Sequence, residues 1–286
     1  MFDSKIIRSV IRTAIILAFA LSVAGFGGIE TLFTPKAELW ERWTAHQPGS
    51  NAKIDHSTWD WFLKSYVSVN DDGVNRVAYS DVDQAGHDRL DDYIRSLTEV
   101  TVDTLSRDEQ LAYWINLYNA LTVRVVLRHY PVETIRDINI SPGLFSNGPW
   151  DNKLIEIDGE PISLNDIEHR ILRPIWRDPR IHYAVNCASI SCPNLQRDTY
   201  TGDAANQMLE DAAFAYVNDK RGISAQNNRV VVSSIYAWFI DDFGGNVAGL
   251  ILHLKRYAKP SLASALDNAV ELQNAYDWAL NDDVRN

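Results

Sequence analysis

The residues best suited to chemistry are two cysteines in the segment from Asn186 to Pro193. Cys187 and Cys192 lie in a turn-forming stretch that follows an apolar run, and functional sites are often built in such loops. A thiol with a pKa of about 8.5 needs a neighbouring base to react at neutral pH, so a nucleophilic Cys187 requires a histidine and a group that orients it. Two other interpretations stay open: a Cys187–Cys192 disulfide, and a metal site that includes His182.

Two of the seven histidines could serve this thiol. His182 lies on a strand predicted over 180–185, and the alternation of side chains along a strand would place it on the opposite face from Cys187. His169 lies on a helix that is predicted to begin at the capping segment starting at Ser163. His169 is therefore the candidate base, and His182 is a candidate supporting residue.

Glu168 occupies an unusual position on the same predicted helix. At 100° per residue it falls within the apolar sector, where a carboxylate needs a partner or its pKa rises. Adjacent helical residues do not face each other, so this geometry predicts no direct contact between Glu168 and His169. Glu168 could instead anchor the helix, pairing with an arginine in a structural network, while His169 faces a cleft that contains Cys187.

An acyl-transfer site also needs donors for a developing oxyanion. The backbone N–H groups near Ala188 and Ser189 are candidates, and so are the side-chain amides of Asn116 and Asn119. The two amides are i, i+3 neighbours at the edge of the apolar sector of a long helix, which begins at Ser106. A buried amide without a partner costs about 1–3 kcal/mol, so each is expected to be hydrogen-bonded.

The elements that must position these residues are mostly helical. Helices are predicted over 39–45, 57–67, 87–97, 106–130, 163–172, 203–217 and 247–257, and strands over 74–79, 153–157, 160–164, 180–185 and 229–233. Asp158-Gly159 supplies the turn of a hairpin, and the long helix is apolar around so much of its circumference that we expect it to be buried centrally. These patterns predict an α+β fold: one helix-rich domain over 38–286 with a small, mostly antiparallel sheet.

The N-terminal segment has the pattern of an export signal. Three basic residues precede an uncharged, largely apolar run over 13–29. Ser22 and Ala24 are small residues at the spacing that a signal peptidase needs, which predicts cleavage after Ala24 and a signal peptide over residues 1–24. The alternative is a membrane anchor that ends near residue 29. Either interpretation predicts an exported protein, periplasmic or secreted, whose only membrane contact is through this segment.

Composition excludes several classes of function. The chain has 286 residues and a net charge of −11, and an acidic surface repels nucleic acid. Two cysteines exclude a disulfide-stapled scaffold and a four-cysteine zinc site, and motifs for phosphate-binding loops, zinc proteases and serine hydrolases are absent from the sequence. We expect no cofactor, no metal and no nucleic-acid partner, and a small-molecule or peptide-like substrate.

Four ordered segments resemble one family, the uncharacterised domain DUF547. They are Tyr113–Ala120, Ser163–Arg173, Asp178–Pro193 and Tyr276–Asn281. Some members of that family look like papain-type or transglutaminase-type thiol enzymes, so the resemblance implies a cysteine-protease-like fold. It also implies catalytic roles for Cys187, His169 and Glu168. Residues that would support them by binding substrate or oxyanion, or by packing behind the site, are Asn116, Asn119, Ser189, His182, Asn186 and Cys192.

These observations predict an exported, cysteine-dependent hydrolase or acyltransferase that acts on an amide or peptide-like bond. Cys187 would attack the carbonyl, His169 would act as base and then as acid, and Glu168 would orient the histidine. The alternative is a non-catalytic module that binds a peptide or glycan in an aromatic groove, with Cys187 and Cys192 joined in a disulfide.

Overall fold

The computed structural model describes residues 34–143, 147–226 and 228–283. The predicted signal peptide or anchor lies outside these residues. Within them, no helix has both the length and the apolar character needed to cross a membrane.

The described chain forms two compact units. The larger unit comprises Pro35–Tyr216 and the C-terminal stretch that begins at Asp277, and the smaller unit comprises Val217–Tyr276. All of the candidate site residues lie in the larger unit. The expectation of a single domain over 38–286 stays a prediction.

The larger unit is mainly helical. Its helices are α1 (Ser57–Tyr66), α2 (Gln84–Thr98), α3 (Arg107–His129), α4 (Asp166–Trp176) and α5 (Ala205–Val217). The last residue of α5 is the first residue of the smaller unit. Helix α4 consists of a π-helical segment, Asp166–Leu172, and an α-helical turn, Arg173–Trp176. Two antiparallel hairpins complete the unit: β1 (Val67–Val69) with β2 (Asn75–Val77), and β3 (Ile155–Ile157) with β4 (Glu160–Ile162).

The smaller unit contains a three-stranded sheet and three helices. Strands β5 (Ile223–Gln226) and β6 (Arg229–Ser233) pair antiparallel, and β7 (Glu271–Ala275) pairs parallel to β6. Helices α6 (Ser234–Trp238), α7 (Val247–Tyr257) and α8 (Pro260–Asp267) lie between β6 and β7 along the chain. The predicted α+β class with small, mostly antiparallel sheets is confirmed.

Helix α3 forms the centre of the larger unit, as its apolar circumference predicts. Every residue from Glu109 to Leu127 is buried. The Ser106 hydroxyl accepts a hydrogen bond from the Glu109 N–H, which caps the helix at the residue where the sequence predicts that it begins. The Glu109 carboxylate accepts tertiary hydrogen bonds from the Ile54 and Gly202 N–H groups.

The hairpin prediction is also confirmed. Strands β3 and β4 are joined by Asp158 and Gly159, whose φ angles are +51° and +79°. Asp and Gly tolerate this left-handed conformation better than other residues, and a two-residue turn of this kind matches the twist of a hairpin.

Three predicted elements differ from the structure. The strand over 180–185 is wrong, because Pro179–Tyr183 is a 3₁₀ helix that begins where the Asp178 carboxylate accepts from the Arg180 N–H. The helix over 39–45 is limited to the 3₁₀ turn Glu41–Trp43. The helix over 163–172 continues through Pro174 to Trp176, because a π-helical segment precedes the proline.

Candidate functional site

Helix α3 supports the Cys187 loop, residues Asn186–Pro193, through the side chain of Asn119. The Asn119 side-chain amide donates to the Ala184 carbonyl (2.9 Å), and its oxygen accepts from the Asn186 N–H (2.8 Å). Asn186 continues the support, because its own amide accepts from the Ala188 N–H (2.8 Å) and donates to the Pro193 carbonyl (2.7 Å). One asparagine on a rigid helix thus positions the backbone immediately before the candidate nucleophile.

The residue after Cys187 has a strained backbone. Ala188 is completely buried and has a φ of +59°, a left-handed conformation that residues other than glycine seldom adopt. Such residues persist only where the surrounding structure imposes them, and they cluster at functional sites. The Asn186–Ala188 hydrogen bond described above imposes the turn here.

The C-terminal stretch closes the other side of this loop. Leu280 pairs with Ser189 in an antiparallel bridge. The Ile190 N–H donates to the Ala279 carbonyl (2.8 Å), and the Asn281 N–H donates to the Ala188 carbonyl (3.1 Å). The loop therefore has backbone partners on both sides of its turn, which explains why segments distant in sequence contribute to one site.

The two sulfur atoms lie 3.0 Å apart and are not joined by a bond in the structure. The Cys187 N–H donates to the Cys192 Sγ (3.0 Å), and the Ser189 hydroxyl lies 3.3 Å from the Cys187 Sγ. Cys187 is half-buried, whereas Cys192 and Ser189 are buried. Cys187 is therefore the most accessible of these three side chains.

Glu168 and His169 both lie in the π-helical segment of α4, a type of turn that is often found at functional sites. The Arg173 N–H bonds to the Glu168 carbonyl five residues earlier, which defines the widened turn. The predicted placement of these side chains assumed 100° per residue, and this wider turn does not follow that angle. Both side chains are in fact buried.

The nearest histidine to the Glu168 carboxylate is His182. Its Nδ1 lies 3.6 Å from Glu168 Oε1, slightly beyond hydrogen-bond length, and the Nδ1 of His169 lies 3.9 Å from the same oxygen. The parity argument that set His182 apart fails because its segment is a 3₁₀ helix, where side chains do not alternate. Burial would raise the pKa of the Glu168 carboxyl, but the two imidazoles and the Arg173 guanidinium favour its ionised form and lower the pKa to about 2.

The two histidines differ in the partner of Nδ1. Arg173 donates from Nη1 to the Nδ1 of His169 (3.0 Å), and because a guanidinium is only a donor, this nitrogen carries no proton and Nε2 does. The Nδ1 of His182 faces a carboxylate, which is only an acceptor when ionised, so the neutral imidazole carries its proton on Nδ1 and its acceptor lone pair on Nε2. The contacts thus assign proton-accepting capacity to His182.

The pKa of Tyr118 responds both to Glu168 and to the two cysteines. Burial raises its pKa well above the usual value, and the Glu168 carboxylate and the thiols of Cys187 and Cys192 act in the same direction. The pKa of Tyr79 is likewise raised, by burial, by Asp282 and by the two thiols. Sequence reasoning did not select either tyrosine, although Tyr118 lies within the motif Tyr113–Ala120.

Residues 102–217 match the model of a family described as "Protein of unknown function, DUF547". The chain contains a DUF547 domain. The matched range includes α3, α4 and the Cys187 loop, so the DUF547 domain contains all of the candidate catalytic residues. Neither the curated proteins nor the solved structures include a match to the chain.

Asn116, the other candidate asparagine on α3, contacts a different segment. Asn116 donates to the Tyr200 carbonyl (2.7 Å) and accepts from the Tyr200 N–H (3.1 Å). The expectation that both buried amides need partners is confirmed, and the observed partner of each is backbone. An oxyanion role for Asn116, Asn119 or the N–H groups near Ala188 stays a prediction, and the Ala188 N–H is already bonded to Asn186.

The metal interpretation gains no support from the part of the DUF547 domain that the structure describes. Among the described residues, no three histidine, cysteine, aspartate or glutamate side chains are grouped so that they could hold a metal ion. The site is therefore interpreted through its thiol, imidazole and carboxylate groups.

Proposed function

We propose that this DUF547 domain is a cysteine-dependent hydrolase or acyltransferase that acts on an amide or peptide-like bond. The observation that carries the proposal is the buried Glu168–His182 pair, in which the His182 Nδ1 lies 3.6 Å from the Glu168 carboxylate. The charges of Glu168 and of the half-buried Cys187 thiol both act to raise the pKa of Tyr118. A carboxylate, an imidazole and a nucleophile in this order are the parts of a catalytic triad.

In this mechanism His182 Nε2 removes the proton from the Cys187 thiol, and the sulfur attacks the substrate carbonyl. The imidazolium then gives the proton to the leaving amine, and the acyl group stays on the sulfur as a thioester. Water releases the acyl group in a hydrolase, and an amine or alcohol accepts it in an acyltransferase. Glu168 stays ionised throughout, because its depressed pKa prevents it from taking the proton.

His169 has a different role in this proposal from the one that the sequence predicted. Its Nδ1 accepts from Arg173, so its Nε2 already carries a proton and cannot receive the proton of Cys187. We therefore place His182 as the base and His169 as a neutral imidazole beside Glu168, with its proton on Nε2. The apolar run near the N-terminus supports an exported enzyme, which fractionation of producing cells would test.

The experiment combines alkylation of the thiol with trapping of an acyl-enzyme. We expect iodoacetamide at pH 6 to modify Cys187 rapidly in the wild type, and p-nitrophenyl acetate to leave one acetyl group on Cys187, both read by peptide mass spectrometry. Cys187→Ala should lose both reactions, whereas the matched control Cys192→Ser should keep them. His182→Gln should slow both by at least about tenfold, and His169→Gln should slow them much less.

The outcomes discriminate between assignments. Acyl-enzyme formation that persists in Cys187→Ala would exclude the thiol mechanism. Loss of reactivity in His169→Gln but not in His182→Gln would return the base role to His169.

A second candidate function is a binding module with a Cys187–Cys192 disulfide. The 3.0 Å separation of the sulfur atoms favours it, because the two side chains are close enough to be joined. The intact mass of the purified protein tests it, since a disulfide removes two hydrogens. Two alkylation-resistant sulfurs together with that lower mass would support the binding module over the enzyme.

A further inference from the structure

The segment over 35–40 lies against the π-helical part of α4. The Glu38 N–H donates to the His169 carbonyl (2.9 Å), and the Trp40 N–H donates to the Arg170 carbonyl (3.0 Å). The Arg170 guanidinium also lies over the Trp40 ring, 4.3 Å from its centroid. Three contacts therefore hold an otherwise exposed stretch of chain to the turn that carries Glu168 and His169.

The two carbonyls are available because of Pro174. A proline has no N–H, and Pro174 stands four residues after Arg170 and five after His169, at the spacings of α-helical and π-helical hydrogen bonds. The N–H groups of Glu38 and Trp40 supply donors to these carbonyls. A buried backbone group without a partner costs about 1–3 kcal/mol. The hydrogen bonds from the segment over 35–40 therefore stabilise the π-helical turn of α4.

Arg173 links the same segment to the histidine cluster. Its Nη1 donates to the Pro35 carbonyl (3.0 Å) and to the Nδ1 of His169 (3.0 Å). The residue is 7% exposed, so its guanidinium is held between the segment and the imidazole. One side chain therefore couples the position of residue 35 to the proton position on His169.

The proton position on His169 affects which histidine uses Glu168. While Arg173 occupies the Nδ1 of His169, that nitrogen cannot donate to the carboxylate 3.9 Å away, and His182, at 3.6 Å, is the histidine nearer to that carboxylate. Without Arg173 at this nitrogen, His169 can take the proton on Nδ1 and compete with His182 for the same oxygen. His182 would then be oriented less well toward Cys187.

We propose that residues 35–40 and Arg173 are a positioning element of the site, which keeps the Glu168 carboxylate paired with His182 rather than with His169. The inference rests on the proposed function. Cleavage after Ala24, as the sequence predicts, would leave this element in the mature protein. The charged and titratable groups that act electrostatically on Glu168 include His169, Arg173 and His182, and Glu168 in turn acts on Tyr118. Beside Cys187, the Cys192 sulfur lies 3.0 Å away, and both thiols act on Tyr79 and Tyr118.

The test measures the pH dependence of Cys187 alkylation by iodoacetamide in the full chain. Glu38→Pro removes the N–H donor to His169, and its matched control Glu38→Ala keeps that N–H. Arg173→Met removes the bridge, and Arg173→Lys keeps a charge but not the guanidinium fork. We expect Glu38→Pro and Arg173→Met to slow alkylation at pH 6 about tenfold and to move the profile about one unit to higher pH. Glu38→Ala should match the wild type, and Arg173→Lys should recover part of the loss.

A nitrogen NMR spectrum of the histidine side chains separates this role from a structural one. The proton of His169 should lie on Nε2 in the wild type and move toward Nδ1 in Arg173→Met. An unchanged tautomer, or an unchanged pH profile in both Glu38→Pro and Arg173→Met while Glu168→Gln still shifts the profile, would overturn the inference and leave the proposed function standing. If Glu168→Gln and His182→Gln also leave the profile unchanged, the proposed function itself fails.

Discussion

Two asparagines on α3 allow the support of the Cys187 loop to be measured against an internal control. Asn119 and Asn116 are one helical turn apart, both are buried, and each makes one donor and one acceptor bond to backbone. Asn119 holds the chain at 184–186, directly before Cys187, whereas Asn116 holds Tyr200. We predict that alanine at either position destabilises the protein similarly, and that only Asn119→Ala changes the reactivity of the thiol.

The magnitude follows from the groups left behind. Each alanine variant leaves one carbonyl and one N–H buried without their partner, and each such group costs about 1–3 kcal/mol. The expected loss is therefore about 2–6 kcal/mol per variant, a large part of the roughly 5–15 kcal/mol by which a typical domain is stable.

The assay combines denaturant unfolding, followed by tryptophan fluorescence, with the rate of Cys187 alkylation under native conditions. We expect matched decreases in unfolding free energy for the two alanine variants, and a change in alkylation rate of at least about threefold for Asn119→Ala alone. Equal changes in alkylation for both variants would refute the assigned support. So would a loss below about 0.5 kcal/mol in Asn119→Ala, because the hydrogen bonds described above would then contribute almost nothing.

Three further predictions concern the ionisation of Glu168, the end of helix α4 at Arg177, and the buried carboxylate of Glu109. The Glu168 pKa of about 2, against 4.5 for the ordinary group, contributes on the order of 3 kcal/mol of stability above pH 4.5, which is lost as pH falls toward 2; Glu168→Gln should flatten the fall of unfolding free energy in that range. Arg177 ends α4 with a φ of +52° and is exposed, so Arg177→Gly should raise the unfolding free energy by about 0.5–1 kcal/mol, and Arg177→Ala should give no such gain. Glu109→Gln should cost about 1–3 kcal/mol in urea unfolding, because an amide cannot accept from both the Ile54 and Gly202 N–H groups with its two ends.

Each of these has a result that contradicts it. The same slope of stability between pH 4.5 and pH 2 in Glu168→Gln and wild type would show that Glu168 is not preferentially ionised in the fold. A destabilised Arg177→Gly would mean that this side chain has a stabilising role that outweighs its backbone strain. An unchanged urea midpoint in Glu109→Gln would show that the Ile54 and Gly202 N–H groups accommodate an amide as well as a carboxylate.

Elements whose cause is local could be predicted from sequence. Helix α3 begins at its serine cap and has an apolar circumference, so its position and its central burial follow from nearby residues. The hairpin at Asp158-Gly159 follows from the two residues that tolerate its turn. The strand over 180–185 was wrong because its apolar character could not distinguish an extended segment from a 3₁₀ helix begun by Asp178 and Pro179.

The sequence by itself identified the site's residue types: a thiol in a turn, a carboxylate in an apolar sector and two histidines able to serve them. Only the tertiary structure decided their partners. Glu168 lies nearer to His182 than to its chain neighbour His169, because a π-helical turn and a 3₁₀ helix bring their side chains together at 3.6 Å. The proton on His169 is assigned by Arg173 rather than by the imidazole itself. Hydrogen bonds between residues far apart in sequence depend on how whole elements pack, and local periodicity carries no information about that packing.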